Sequence, residues 1–344
     1  MRQFNFLAEE NRLTRLSEMG DQLEKMRDAI DWERFREGVE APFIKETKGA
    51  GGRPPFDKVM MFKIIMLQEW YNISDDAVEY QINDRLSFQR FLGLGLNDRV
   101  PDAKTIWLFR ETLRKAGADT VLFDLFRQVL QEAKLITRSG SIVDAVFAEC
   151  PRQHNTKEEN KQIKNGTVPE GWEKNKRQQK DCDARWTRKR GAFFFGFKNH
   201  IKVDRSSKLI TKSVVTPAST HDSVPLEKLV DETDQAIYGD SAYDGKKTAK
   251  RLRKAAPKAT LHIHKKANRN HPLTEDDKLQ NREKSRVRCR VEHVFGHMKN
   301  SMGGTFIRCI GFERATCRIT LKNLAYNLHR YEFLTRPPPS PSMG

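Results

Sequence analysis

The stretch Gly140–Cys150, GSIVDAVFAEC, is where the 344-residue chain changes character. Before it, from residue 9 to 134, apolar residues recur at intervals of three and four, which is helical spacing. After it come short runs rich in aromatic and β-branched residues: FFFGFKNHIKVD (193–204), LITKSVVTPAS (209–219), AIYGD (236–240) and TLHIHKK (260–266). Helical spacing returns at about 281. Three neighbouring β-runs, then helix, strand, helix, strand and a final helix predict a mixed sheet covered by helices. The fold class is therefore α+β or α/β, with an N-terminal helical region ahead of a mixed-sheet domain.

Three boundaries follow: a helical domain over 1–135, a sheet domain over 136–333, and a disordered tail over 334–344, RPPPSPSMG closing it. Residues 151–192, polar and heavily basic, read as an insertion between the first two strands that orders on a partner. In the helical region, FDKVMMFKIIMLQEWYN (56–72) and ISDDAVEYQINDRLSFQRFLGL (73–94) form successive helices. Ser74 is the expected N-cap of the second, and Asn83-Asp84 breaks it. A helix pair joined by a short polar turn is either a helix-turn-helix or plain helical packing. KGAGGRPPFDK (48–58), just before the pair, reads as a flexible basic arm, and further helices are expected in 102–117 and 119–136.

Composition narrows the function. Sixty-three Lys and Arg against 46 Asp and Glu give a formal net charge of +17, which implies a polyanionic partner, most simply nucleic acid. No run of about 18 apolar residues exists, and the start MRQFNFLAEENRL lacks a signal peptide's apolar core, so a cytosolic protein with no membrane partner is expected. Five cysteines without a C-x-x-C pair favour free thiols over a disulfide framework or a structural zinc site.

Three acids carry the chemistry. Asp144 interrupts one apolar run and Asp240 ends another; an aspartate so placed is costly unless paired, hydrogen-bonded or bound to metal. Glu292 stands in RCRVEHVFGHMK (288–299), within a segment, 281–300, of six cations and only one other acid, Glu283. At about 100° per residue, Val287, Val291, Val294 and Met298 make a core stripe, and Arg288, Glu292 and Lys299 a neighbouring strip. Arg288 and Glu292 form at least an i,i+4 pair. The three acids together also suit Mg²⁺ or Mn²⁺, with two ions serving an in-line displacement at phosphorus and Arg288 and Lys299 meeting the phosphates. Trp186 among Arg185, Arg188, Lys189 and Arg190 is either a base-stacking aromatic in a basic patch or a buried residue at the start of the sheet. His221 and Asp222 either line the site or make a turn. His293 and His297, at i and i+4, raise a zinc hydrolase as a further possibility, but Glu292 precedes the first histidine instead of following it and lies about 100° or more away.

At these residues the sequence resembles the bacterial DDE transposases of the insertion-sequence-five type, within the insertion-sequence-four-like superfamily. The matches are IVDAV at Asp144, YGDSAYDG at Asp240 and the Arg-x3-Glu-x6-Lys pattern of Arg288, Glu292 and Lys299. GRPPFDKVMMFKIIMLQEWYNISDDAVEYQI (52–82) and VPDAKTIWLFRETL (100–113) are also similar, and the likeness spans roughly residues 40 to 333. Ser285 departs from the pattern, which often has Tyr three residues before the Arg. The resemblance implies a ribonuclease-H-like core, catalytic and metal-holding Asp144, Asp240 and Glu292, and dependence on Mg²⁺ or Mn²⁺. It further implies a helical DNA-binding domain, recognition of terminal inverted repeats, target DNA as second substrate, a dimer or larger assembly, and a bacterial, nucleoid-associated setting. A degenerate or domesticated transposase that only binds DNA is the alternative, and a missing acid would favour it.

Overall fold

Asp57, Ser74 and Asp102 each start a helix by accepting a hydrogen bond from an otherwise unpaired first-turn N–H: Met60 at 2.8 Å, Ala77 at 3.2 Å and Thr105 at 2.7 Å. The computed structural model describes residues 8–44, 54–189, 191–267 and 272–337. Most of the expected arm thus lies outside the described residues. The chain divides into one unit of Met1–Leu125 with Asn327–Gly344 and another of Phe126–Tyr326.

The helical unit comprises α1 (Ala8–Glu18), α2 (Gln22–Ala29), α3 (Arg36–Glu40), α4 (Lys58–Tyr71), α5 (Asp75–Asp84), α6 (Leu86–Leu92), α7 (Ala103–Lys115) and the first part of α8 (Ala118–Glu132). Its centre is aromatic: Trp32 meets Phe62, Trp70 and Phe91 edge-on, all four buried. α4 is buried on most of its surface, as a sequence with apolar residues on every side requires, and it takes Gln68 and Glu69 into the interior with them. Arg110 clamps the start of α5 through Asp75 at 2.7 and 2.8 Å. The carboxyl-terminal segment belongs here: His329 stacks on Trp70 at 5.0 Å, and Gln22 donates to Glu332 at 2.9 Å. The sheet domain was expected to run to 333 and the tail to start at 334. Instead the unit boundary falls at 326/327 and the last helix continues to Thr335.

The second unit is a six-stranded mixed sheet. β1 (Ser141–Glu149) is central, antiparallel to β3 (Ala192–Asp204) on one side and parallel to β5 (Ala236–Gly239) on the other. Beyond β5 lies β6 (Thr260–Ile263), parallel; β2 (Arg185–Lys189) and β4 (Ile210–Pro217) pair antiparallel with successive stretches of β3. The connections hold α9 (Lys157–Lys164), α10 (Lys174–Gln179), α11 (Leu226–Leu229), α12 (Lys246–Ala255), α13 (Glu275–Gly296) and the long α14 (Phe312–Thr335). One sheet face packs Ala148, Phe197 and Val215 against Ile307, Ala315 and Ile319. Another cluster joins Val143 and Ile237 to Leu226, Tyr243, Leu252 and Ala256. Gly239 lets the Tyr243 ring approach, since a Cβ there would come within 2.9 Å of it.

The basic insertion carries helices and hydrogen bonds of its own. Thr156 and Glu159 form a reciprocal capping box on α9, and Glu159 then accepts from Trp172 Nε1 at 2.6 Å and Lys176 at 2.7 Å. Its last five residues before the turn are β2, which reverses at Gly191 (φ +84°) into β3. All five cysteines are free thiols.

Candidate active site

Asp144 lies inside β1, between the continuously buried Ser141–Val143 and the alternating stretch that follows Ala145. Asp240 follows β5 directly and caps a short turn, accepting from Ala242 N at 2.8 Å. The β1–β5 register pairs Ser141 with Ile237 and Ile142 with Tyr238; carried two residues further, it sets Asp240 beside Asp144 on one sheet face. Adjacent parallel strands run about 4.8 Å apart, so the two carboxylates feel each other directly.

Asp144 shows the effect. Its side chain is only 15% exposed, and its carboxyl is pushed up from 3.8 to about 6. Burial is the main cause, with the charge of Asp240 adding to it; the Ala145 N–H (2.8 Å), Arg288 and Lys189 pull the other way. Arg288 reaches over from α13, one guanidinium nitrogen on Asp144 at 3.0 Å and the other on Glu292 at 2.9 Å. Glu292 is thus tied to the aspartates through an arginine, and its side chain is 60% exposed.

Three of the four residues of the core stripe, Val291, Val294 and Met298, are fully buried, and Val287 is partly buried. The strip beside it is altered at its end. α13 widens into a π turn over His297–Ser301, which advances the chain less per residue than an α-helix and moves Lys299 off the angle calculated for it. Lys299 is exposed there and, among the described residues, has no ion-pair partner. His293 is exposed and His297 packs its ring edge-on to Tyr326 at 5.6 Å, an arrangement unlike a zinc pair.

The hairpin of β2 and β3 divides its basic residues. Arg185 donates to the carbonyls of Cys182, Ala184 and Ile163, so its guanidinium is engaged by the fold. Trp186 tilts on Phe195 at 5.1 Å with 38% of its surface exposed, so one side of the ring remains accessible. Arg188 covers exposed Phe193 at 5.3 Å, and Lys189 lies over Phe147 at 5.7 Å within electrostatic reach of Asp144. Arg190 lies outside the described residues.

Three groups near the site carry no motif that marks them in the sequence. Lys198, His200 and Lys202 occupy alternate positions of β3, so all three point to the face opposite Asp144's partner Ile201. All three are buried: Lys198 is paired with Thr220 O (2.7 Å) and Asp222 (2.9 Å) and Lys202 with Asp231 (2.8 Å) and Asp234 (3.0 Å), while His200 pairs its Nε2 with Thr216 Oγ1 (2.9 Å) and leaves Nδ1 without a hydrogen-bond partner among the described residues. A polar stripe of period two in an apolar strand was the available signal. Asp222 therefore anchors Lys198, while His221 bonds Ser223 within its own turn. Tyr243 is buried, its hydroxyl has no partner among the described residues, and burial followed by the charges of Asp144, Asp222 and Asp240 raises its pKa well above the usual 10. Its proton is held at physiological pH.

Among the described residues no three His, Cys, Asp or Glu side chains form a cluster able to hold a metal ion. Asp144 and Asp240 nevertheless fit a hard divalent cation as a pair: both are oxygen donors, and a positive charge would relieve the repulsion and burial that raise Asp144. Arg288 at present supplies that positive charge.

A mixed sheet that sets an aspartate within one strand next to an aspartate just past its parallel neighbour, in a chain that also has a helical unit, fits the transposase class. Family comparison says which: the Transposase DDE domain matches residues 136–328 and the Transposase domain (DUF772) residues 11–112, so the chain belongs to the transposase DDE domain family. Among solved structures, a piggyBac transposase synaptic complex with hairpin DNA aligns over 87% of this chain and 72% of that one, at 12% identity and a TM-score of 0.41. No helix among the described residues is long and apolar enough to cross a membrane.

Proposed function

We propose that the chain is a transposase of the insertion-sequence-five type, which binds the terminal inverted repeats of its element, cleaves their ends and transfers the freed strands into target DNA. The observation that carries this is the Asp144–Asp240 juxtaposition with Arg288 bridging to Glu292. The core is read as ribonuclease-H-like; antiparallel pairing among β1–β4 followed by parallel β5 and β6, with acids on β1 and after β5, supports that reading. Asp144 and Asp240 would hold Mg²⁺ or Mn²⁺, and Glu292 would join them once Arg288 lets go. Bound there, such ions supply charge stabilisation at the phosphoryl oxygens and a lowered pKa for an attacking water.

The chain's own residues do the rest. Arg288, drawn from Asp144 by a phosphate, would become a bidentate phosphate ligand beside the reacting strand. Lys189, Arg188 and Lys299 would hold backbone on either side, and Trp186 would stack an unpaired base. Residues 1–135 are assigned repeat recognition, but not through α5: Asp75, Asp76, Glu79 and Asp84 make that helix acidic without one Lys or Arg, so phosphate repels it. A dimer or larger assembly would bring two ends together.

The test is cleavage and gel-shift binding on one repeat duplex with Mg²⁺, for Asp144→Ala, Asp240→Ala and Glu292→Ala. Each variant is expected to bind as the parent does and to cut nothing. Full cleavage by any variant removes that residue from the site; a parent that binds but never cuts favours the catalytically lost alternative.

A further inference from the structure

From Gly245 to Thr274 the chain contains no Asp or Glu, and α12 lies in that interval. Its sequence, KKTAKRLRKA, presents one apolar side: Leu252, with Ala256 just beyond the helix, is fully buried in the cluster that holds Val143, next to Asp144, and Tyr243, three residues after Asp240. Arg251 is also committed, to Glu227 at 2.7 Å and to the carbonyls of Ser223 and Val224. The other cations, Lys246, Lys247, Lys250, Arg253, Lys254 and Lys258, are exposed, and among the described residues none has a hydrogen-bond or ion-pair partner. This contrasts with the basic insertion, where Glu159 neutralises Lys176.

We propose that the exposed face of α12 is a docking surface for the phosphate backbone of duplex DNA at the active site. The inference rests on the reading of the chain as a DNA transposase and adds to it a surface that reads no sequence. From Lys246 to Lys254 the helix rises about 12 Å, at about 1.5 Å per residue. One strand of B-DNA carries about one charge per 3.4 Å of axis, or roughly four phosphates over that length. Lys246, Lys247, Lys250, Arg253 and Lys254 are available to meet them. An anionic membrane is the other surface a basic amphipathic helix fits, but that mode inserts the apolar side, and here Leu252 and Ala256 are already in the core.

The experiment measures binding of the full chain to a plain duplex of random sequence across a salt series. The variants are Lys246→Gln/Lys250→Gln/Arg253→Gln/Lys254→Gln and a charge-keeping set with Arg at the three lysines. Each phosphate that the protein no longer neutralises lowers the slope of log affinity against log salt by about 0.9. The glutamine set, at four charges removed, is expected to lower it by about 3.6, and the arginine set to leave it unchanged. Should the fourfold variant fail to fold by circular dichroism, Lys246→Gln/Lys250→Gln alone should lower the slope by about half as much. An unchanged slope in a folded variant, while the parent binds and cleaves, overturns the docking surface and leaves the transposase reading intact. A parent that neither binds duplex nor cleaves sinks both. Loss of binding to phosphatidylserine vesicles with no change on DNA assigns the face to a membrane and overturns the proposal.

Discussion

Replacing Asp144 by Asn should stabilise the fold while it destroys the chemistry. The carboxyl titrates at about 6 in the folded chain against 3.8 in the unfolded one, a rise of about two units, each equivalent to about 1.4 kcal/mol. With the side chain 15% exposed, solvent screens little of this, so the ionised group costs the folded state about 3 kcal/mol above pH 6. The sign is that of a raised acid: the unfolded chain gives up this proton first, so stability falls as pH climbs from about 4 to about 6 and stays lowered above. Asn keeps the size and the acceptor for the Ala145 N–H, at 2.8 Å in the parent, but carries no charge. Urea denaturation of both proteins, followed by tryptophan fluorescence at pH 4 and pH 8, checks the reasoning. Asp144→Asn should be more stable by about 1–3 kcal/mol at pH 8, equal to the parent at pH 4, and gain less than the parent from added Mg²⁺. A variant no more stable than the parent at pH 8, or a gap of the same size at both pH values, would refute it.

Arg288→Ala removes the positive charge now shared by Asp144 and Glu292, so Mn²⁺ without DNA should bind several-fold more tightly while repeat DNA binds more weakly; paramagnetic resonance of free Mn²⁺ reads the first and gel shift the second. Unchanged Mn²⁺ affinity would mean that the guanidinium does not occupy the cation's place. Ending the chain at Tyr326 deletes His329 from the Trp70 ring and Glu332 from Gln22, so the helical unit should lose a few kcal/mol and become protease-sensitive within 8–125. Limited proteolysis of the truncated and full chains compares them, and matching digestion patterns would show that the segment adds nothing.

Much of the chain is legible locally. Caps at Asp57, Ser74 and Asp102 are written within three residues of the bonds they make, and so are the α4 helix, the break at Asp84 and the strand around Asp144. Such features need only short-range hydrogen bonds and side-chain periodicity, which sequence order specifies by itself. The acids could be marked for the same reason, since an aspartate in an apolar strand is anomalous wherever that strand goes. Which strand lies beside β1 is a different kind of fact. β1 pairs with β3 across the whole insertion and with β5 far along the chain, and those closures are decided by burial of whole faces, not by neighbours in sequence. Only that pairing sets Asp240 next to Asp144, raises the latter's pKa and draws Arg288 across. It also buries Lys198, His200 and Lys202, which look like surface residues until Asp222, Thr216 and Asp234 arrive from other elements. The same holds for Arg185, whose carbonyl partners come partly from α9, and for the π turn that carries Lys299 off its ideal angle. Residue order sets what a side chain is able to do, and long-range packing decides which partner it does it with.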